Sequence, residues 1–174
     1  QGGPSVKPYQ PAGLWEDVTV ERRFTYEPDR GAGLYRRSLY TYWKRTCPPP
    51  GMTTWDAPDR EFCVLRRART NTPLQALLLM NDPTYLEAAR NLAQRVVATG
   101  GDFSSRIESA YQIVLSRTPH PEEVEVLRDV LEQAQTRFKR SPTAAQQFLS
   151  HGNSPRDEGI DPVELAAWTT VTSL

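Results

Sequence analysis

Three arginines within four positions, Arg66, Arg67 and Arg69, stand just upstream of the dipeptide Thr72-Pro73. Proline suits the first helical position, so this dipeptide predicts a helix from Pro73. A helix start presents free N–H groups and a positive dipole, and both favour anions. Guanidinium groups add bidentate geometry toward carboxylates and phosphates that lysine does not supply. The Thr72 hydroxyl would cap the same N–H groups and compete with an external ligand. A carboxylate partner is therefore expected. Internal pairing comes first, with the nearby acidic loop of Asp56, Asp59 and Glu61 or with acidic residues of the second half. Docking onto another domain comes second and a substrate last. A helix through this stretch would put Arg66 and Arg69 on one face, whereas a strand would put Arg67 and Arg69 together.

Other residue types narrow the chemistry. Asp56, Asp59 and Glu61 lie in a Pro-bounded loop at a spacing that could hold a hard cation, but the EF-hand pattern is absent and a cap at Asp59 explains more. No metal site is expected. Cys47 and Cys63 are 16 positions apart and neither precedes a His, so the chain contains no Cys-x-x-Cys-His attachment site for c-type haem. In an oxidising compartment the two could pair if their Cα atoms lie within about 7 Å, with unpaired buried thiols as the alternative. His120 occupies a helix start, where it reads as a substitute cap. His151 sits in a Gly/Asn/Ser loop and reads as solvated. No Gly-x-Ser-x-Gly frames a nucleophilic serine. Gly31-Ala32-Gly33 is too short for a phosphate loop. The run Tyr35-Arg36-Arg37-Ser38-Leu39-Tyr40-Thr41-Tyr42-Trp43-Lys44-Arg45 interleaves bases with aromatics, as single-strand binders do. At helical spacing it reads instead as one aromatic core face and one basic solvent face.

The elements that must position these residues fall into two parts. The chain has 174 residues, with 21 Lys and Arg balanced by 21 Asp and Glu. A neutral chain argues against a dedicated nucleic-acid binder, and no apolar run approaches the roughly 20 residues of a membrane span. Residues 1–75 hold 12 bases and 8 acids, while residues 76–174 hold 9 and 13. Residues 1–71 are irregular, basic and aromatic-rich. They are broken by prolines, with a short helical turn expected over 12–18, strand-like alternation over 19–26, a turn at 28–31, and a helix from Leu34 to near Cys47. Residues 59–67 fit either a strand or a helix. Residues 72–174 are helical and acidic. Five helix starts repeat one device: Thr72-Pro73, Asp82-Pro83, His120-Pro121, Ser141-Pro142 and Asp161-Pro162. Gln75 and Glu164 complete capping boxes at the first and last. One-sided stripes follow: Tyr85, Ala88, Leu92 and Val96; Ile107, Ala110, Tyr111 and Val114; Val124, Leu127, Leu131, Ala134 and Phe138; Leu165, Trp168 and Val171. The fold class expected is mainly α, a multi-helix packed domain with an irregular Pro/Gly-rich N-terminal portion. Both ends look cut, which suggests one domain from a longer protein.

Several motifs, in order, carry a resemblance. They are Gly3-Pro4-Ser5-Val6-Lys7-Pro8-Tyr9-Gln10-Pro11, the aromatic–basic run at 35–45, Asp56-Ala57-Pro58-Asp59-Arg60-Glu61, Arg69-Thr70-Asn71-Thr72-Pro73-Leu74-Gln75-Ala76-Leu77 and Asn81-Asp82-Pro83. Ser154-Pro155-Arg156-Asp157 and Asp161-Pro162-Val163-Glu164-Leu165-Ala166-Ala167-Trp168 follow. Together they resemble the C-terminal part of the planctomycete-specific domain of unknown function 1553. The resemblance implies a non-haem domain of an exported, cytochrome-c-linked protein acting in redox chemistry or polymer breakdown, outside the cytoplasm. It implies haem c in an upstream module and none in this chain, with the upstream domains of the same polypeptide as partners. The alternative is a structural or interaction domain that docks neighbouring modules and has no catalysis of its own. The family supplies no catalytic residues to carry over.

Overall fold

The computed structural model describes residues 3–18 and 25–174. The strand-like alternation expected over 19–26 falls largely outside them. The fold is mainly α. Its helices are α1 (Leu14–Asp17), α2 (Pro50–Thr54), α3 (Pro73–Asn81), α4 (Pro83–Ala98), α5 (Phe103–Leu115), α6 (Pro121–Arg140), α7 (Pro142–Leu149) and α8 (Pro162–Thr172). Pairing of extended backbone among the described residues is confined to two isolated bridges. The chain divides into two compact units, Gln1–Leu78 and Leu79–Leu174. This division falls inside α3, seven residues beyond the compositional boundary at 71/72.

The first unit is irregular because prolines interrupt it and aromatic contacts take the place of a helical core. Trp15 lies on α1, and its ring centroid is 5.1 Å from that of Tyr26 and 5.7 Å from that of Tyr42. The Lys44 ammonium sits 4.6 Å above the Trp15 ring. The Tyr26 hydroxyl donates to the Pro8 carbonyl at 2.5 Å. Burial, with the Asp29 carboxylate adding to it, pushes the Tyr26 phenol well above its usual pKa.

The helix expected from Leu34 to Cys47 does not form. Short 3₁₀ turns occupy Gly31–Tyr35 and Ser38–Tyr40, with Arg36, Arg37 and Thr41 extended. The backbone bonds there go to the N-terminal segment: Val6 N–H donates to Tyr40 O at 2.8 Å, and Tyr42 N–H to Val6 O at 2.7 Å. An extended run does not gather i, i+4 neighbours onto one face, so Tyr35, Leu39 and Tyr42 are exposed rather than core. Residues 60–69 are neither strand nor helix but bends and coil.

The cysteines do not pair. Both are free: Cys47 is buried and Cys63 exposed. Cys47 forms an isolated bridge with Lys44 and packs against α1, its Sγ 3.8 Å from the Leu14 carbonyl. Cys63 sits in the irregular stretch after Asp59.

In the second unit all four expected Pro-led starts open helices. Asp82 accepts from Thr84 N–H at 2.8 Å and Asp161 from Glu164 N–H at 2.9 Å. At His120 the reciprocal bond comes from Glu123, which accepts the His120 N–H at 2.8 Å. The helix α5 starts without proline, where Asp102 accepts from Ser105 N–H at 2.9 Å. The α6 stripe is as expected, with Leu131, Ala134 and Phe138 buried and Val124 and Leu127 half-buried.

Three helices depart from the expected stripes. On α5 Ile107 is buried and Ala110 and Tyr111 half-buried, but Val114 is exposed. The helix α8 packs against α4, α6 and α7 and is buried all round, from Leu165 through Thr169 and at Val171. It tolerates threonines there because their hydroxyls return to the backbone: Thr169 Oγ1 donates to Leu165 O at 2.8 Å, and Thr172 Oγ1 to Ala89 O of α4 at 2.9 Å. On α4 the buried residues are Leu86, Glu87, Ala89, Arg90, Ala93 and Val96, so the face is rotated from the expected one and Ala88 is exposed.

The rotation buries two charges. Arg90 donates through Nη1 to the Leu149 carbonyl and, at 2.7 Å, to the His151 carbonyl. Through Nη2 it donates to Ser154 O at 2.7 Å and Ser154 Oγ at 2.8 Å. Glu87 accepts Asn153 N–H at 3.0 Å and Ser154 N–H at 2.7 Å. Asn91 adds a bond to Ser154 Oγ at 2.9 Å, and Gln94 accepts Asp157 N–H at 2.6 Å. One polar face of α4 thus holds the returning chain between α7 and α8. Gly152, at φ +91°, passes so close to the Glu87 side chain that a Cβ would collide with it.

Two outcomes follow from this packing. In native, unreduced protein one thiol, Cys63, labels rapidly. Cys47 labels slowly, because it is buried and burial also raises its pKa; two fast thiols, or none, would contradict the arrangement. Gly152→Ala lowers unfolding stability by about 1–3 kcal/mol, the usual size of an enforced left-handed strain, or by more with the collision added. Urea denaturation measures it, and an unchanged midpoint would count against the clamp.

Candidate functional site

The arginines and carboxylates singled out by their chemistry lie in the first unit, between α2 and α3. Asp56, which adopts φ +57°, ends the turn after α2. Its carboxylate accepts Thr70 N–H at 2.7 Å and the Thr70 hydroxyl at 2.9 Å. Those bonds hold its carboxyl below the usual carboxylate range, with the Arg67 charge adding to the effect. Gln75, buried on α3, donates through Nε2 to Thr70 Oγ1 at 3.0 Å and to Thr54 O at 2.9 Å. Its Oε1 accepts Thr72 N–H at 3.1 Å, while Gln75 N–H reaches Thr72 Oγ1 at 3.4 Å. The capping box expected at Thr72 is therefore present, and it fastens the α3 start to the loop before it. The Thr72 oxygen is engaged with Gln75, so this helix end is not an open anion cradle.

The acidic group is shared out among different partners. Asp59 accepts Glu61 N–H at 2.9 Å. Glu61 forms a bidentate pair with Arg45, at 3.0 Å to Nε and 2.9 Å to Nη2. Asp56 and Asp59 line a hollow of about 250 Å³ together with Phe62, Val64 and Arg67. Of the three arginines only Arg67 joins the acidic loop there. Arg66 and Arg69 form no ion pair or hydrogen bond among the described residues. All three are exposed, and so are Phe62, Val64 and Leu65. Among the described residues no group of three or more His, Cys, Asp or Glu is placed to hold a metal ion, and no helix is long and apolar enough to cross a membrane.

What the sequence reading missed lies in the second unit. Glu87, Arg90, Asn91 and Gln94 follow one another at 3, 1 and 3 positions, the spacing of a single helix face. That spacing was the available signal. The signal is weak, because a run of polar side chains is ordinarily a solvated face.

The Asp56–Thr70 bonds restrain an otherwise irregular, arginine-rich stretch. Trypsin is expected to cut first after Arg66, Arg67 or Arg69, and several-fold faster in Asp56→Ala than in the parent. Because the Asp56 pKa is depressed on folding, the restraint is complete above the ordinary carboxylate range and weakens as pH falls below it. Equal cleavage rates would show that Asp56 does not hold the segment.

The chain matches no curated protein and no solved structure. One family model does match, over residues 1–131, about three quarters of the chain. The stretch it covers contains α1 to α5, with the Asp56–Gln75 network, and the first half of α6. By that match the chain belongs to the PSD1 family, proteins of unknown function (DUF1553).

Proposed function

We propose that the chain is a docking domain of a larger polypeptide, non-haem and without catalysis of its own, and that residues 60–71 form the docking surface. The observation that supports this is the joint exposure of Phe62, Val64 and Leu65 beside Arg66, Arg67 and Arg69. Leu65 is fully exposed and Phe62 is 72% exposed. A lone exposed leucine needs no explanation, but a contiguous apolar stretch marks an interaction surface. Aromatic and arginine side chains are also the residues that interfaces favour. Arg66 and Arg69 are spare cations beside an apolar tip. They suit a partner surface with an apolar pocket rimmed by carboxylates.

The partner on this reading is a neighbouring module of the same polypeptide. The family resemblance makes that a module of an exported, cytochrome-c-linked protein working outside the cytoplasm, with haem c carried upstream. Redox chemistry or polymer breakdown would then belong to the assembled protein. The Asp56–Thr70–Gln75 network gives the surface a fixed base, since it fastens both ends of the exposed segment.

The test is binding of this chain, in trans, to the upstream part of the full-length polypeptide. Leu65→Ser combined with Arg66→Gln and Arg69→Gln is expected to weaken binding at least tenfold while leaving the thermal midpoint unchanged. Lost thermal stability with binding retained would assign the arginines to an internal network instead. No change in either property would remove this segment from consideration.

A further inference from the structure

A recess of about 500 Å³ opens in the second unit where α4, the end of α7 and the following loop meet. Arg90, Gln146, Ser150, Ser154 and Arg156 line it. The donor and acceptor balance of this lining is lopsided. A guanidinium carries five N–H groups. Four of those of Arg90 are accounted for, by the Leu149, His151 and Ser154 carbonyls and by Ser154 Oγ. The fifth, on Nε, is buried with no partner. Arg90 itself is 3% exposed.

Ser154 carries a second spare donor. Its Oγ accepts two hydrogen bonds, from Arg90 Nη2 and from Asn91 Nδ2 at 2.9 Å. Both lone pairs are occupied, so the hydroxyl hydrogen is left to donate, and no acceptor for it exists among the described residues. Arg156 is half-buried and forms no ion pair or hydrogen bond among the described residues. The recess therefore holds two arginines and a free hydroxyl proton. The Leu149, His151 and Ser154 carbonyls are bonded to Arg90. Glu87, the nearest carboxylate in the clamp, does not line the recess and is bonded to the Asn153 and Ser154 amides.

We propose that this recess binds the oxyanion group of a small molecule, with Arg156 as the charged contact and the Ser154 hydroxyl as the orienting donor. Its volume is within the range of small-molecule sites and exceeds that of an inorganic ion, so the natural ligand is a larger molecule entering by its anionic end. Phosphate, sulfate and carboxylate groups share the required chemistry: full negative charge and several acceptor oxygens arranged for a guanidinium fork. Arg90 is a positioning residue here. It holds the 149–154 backbone and so aims Ser154, with its positive charge adding to the field. The site is independent of the docking surface in the first unit.

The experiment titrates the whole chain with inorganic phosphate, sulfate and acetate, using sodium chloride at matched ionic strength as the control, and follows amide chemical shifts and the thermal midpoint. Saturable shifts centred on Ser150, Ser154 and Arg156 are expected, with at least a tenfold loss of affinity in Arg156→Gln. That variant removes no bond of the folded chain, so its fold and its chloride baseline stay as in the parent. The ranking of the three anions assigns the ligand class: phosphate or sulfate strongest for a tetrahedral group, acetate strongest for a carboxylate. Shifts that fail to saturate, that centre elsewhere, or that persist unchanged in Arg156→Gln would overturn the proposal.

Discussion

The second unit depends on one buried arrangement, the hold of Glu87 and Arg90 on the chain that returns from α7 to α8. The central helix α8 packs against α4, α6 and α7, and the loop before it runs along α4. The last α7 carbonyl and the loop's own polar groups are drawn in there, where each buried polar group without a partner costs about 1–3 kcal/mol. Arg90 supplies the donors and Glu87 the acceptors, from positions three apart on one helix. Gly152 lets the backbone come close enough for both. The same solution leaves Arg90 Nε, the Ser154 hydroxyl and Arg156 with unused donors, and these residues line a recess. A structural clamp and a candidate ligand site thus share their residues, an economy that follows from burying a five-donor group among fewer than five acceptors.

The first unit solves a different problem. It is too rich in proline for long helices, and among its described residues extended backbone pairs only in two isolated bridges. Side chains tie it instead: Trp15 with Tyr26 and Tyr42, and Asp56 with Thr70 and Gln75. Gln75 is the pivot of the second set, because one buried amide serves the α3 cap, the Thr70 hydroxyl and the Thr54 carbonyl at once. This explains why the division between the units falls within α3 rather than before it. The first turn of that helix is bonded to the loop upstream, and an exposed apolar and basic segment is stretched between the fastened points. Such a segment has little to gain from folding within its own unit. Its chemistry suits contact with something else.

Local rules were legible in the residues themselves. All five Pro-led dipeptides start helices, the Thr72–Gln75 capping box forms, and the stripe of α6 faces the core as its 3- and 4-residue steps require. Family membership was legible for the same kind of reason, since ordered motifs survive without any knowledge of contacts. These signals act within about one helical turn, where backbone hydrogen bonding and side-chain direction are decided by immediate neighbours.

Tertiary structure alone decided what lies more than a turn apart. The 34–47 run has helical spacing, but it forms only short 3₁₀ turns, and its backbone bonds to Val6 at Tyr40 and Tyr42. The two cysteines could have been bridged, but one is buried against α1 and the other is left in the open. Asp56, Asp59 and Glu61 are close in sequence, but each carboxylate has a different partner. On α4, hydropathy pointed to Tyr85, Ala88 and Leu92, whereas the buried face carries Glu87 and Arg90. Periodicity assigns polar residues to water by default. Whether a charge is buried depends on whether a chain more than 50 residues away returns with the matching donors and acceptors, and no local pattern encodes that.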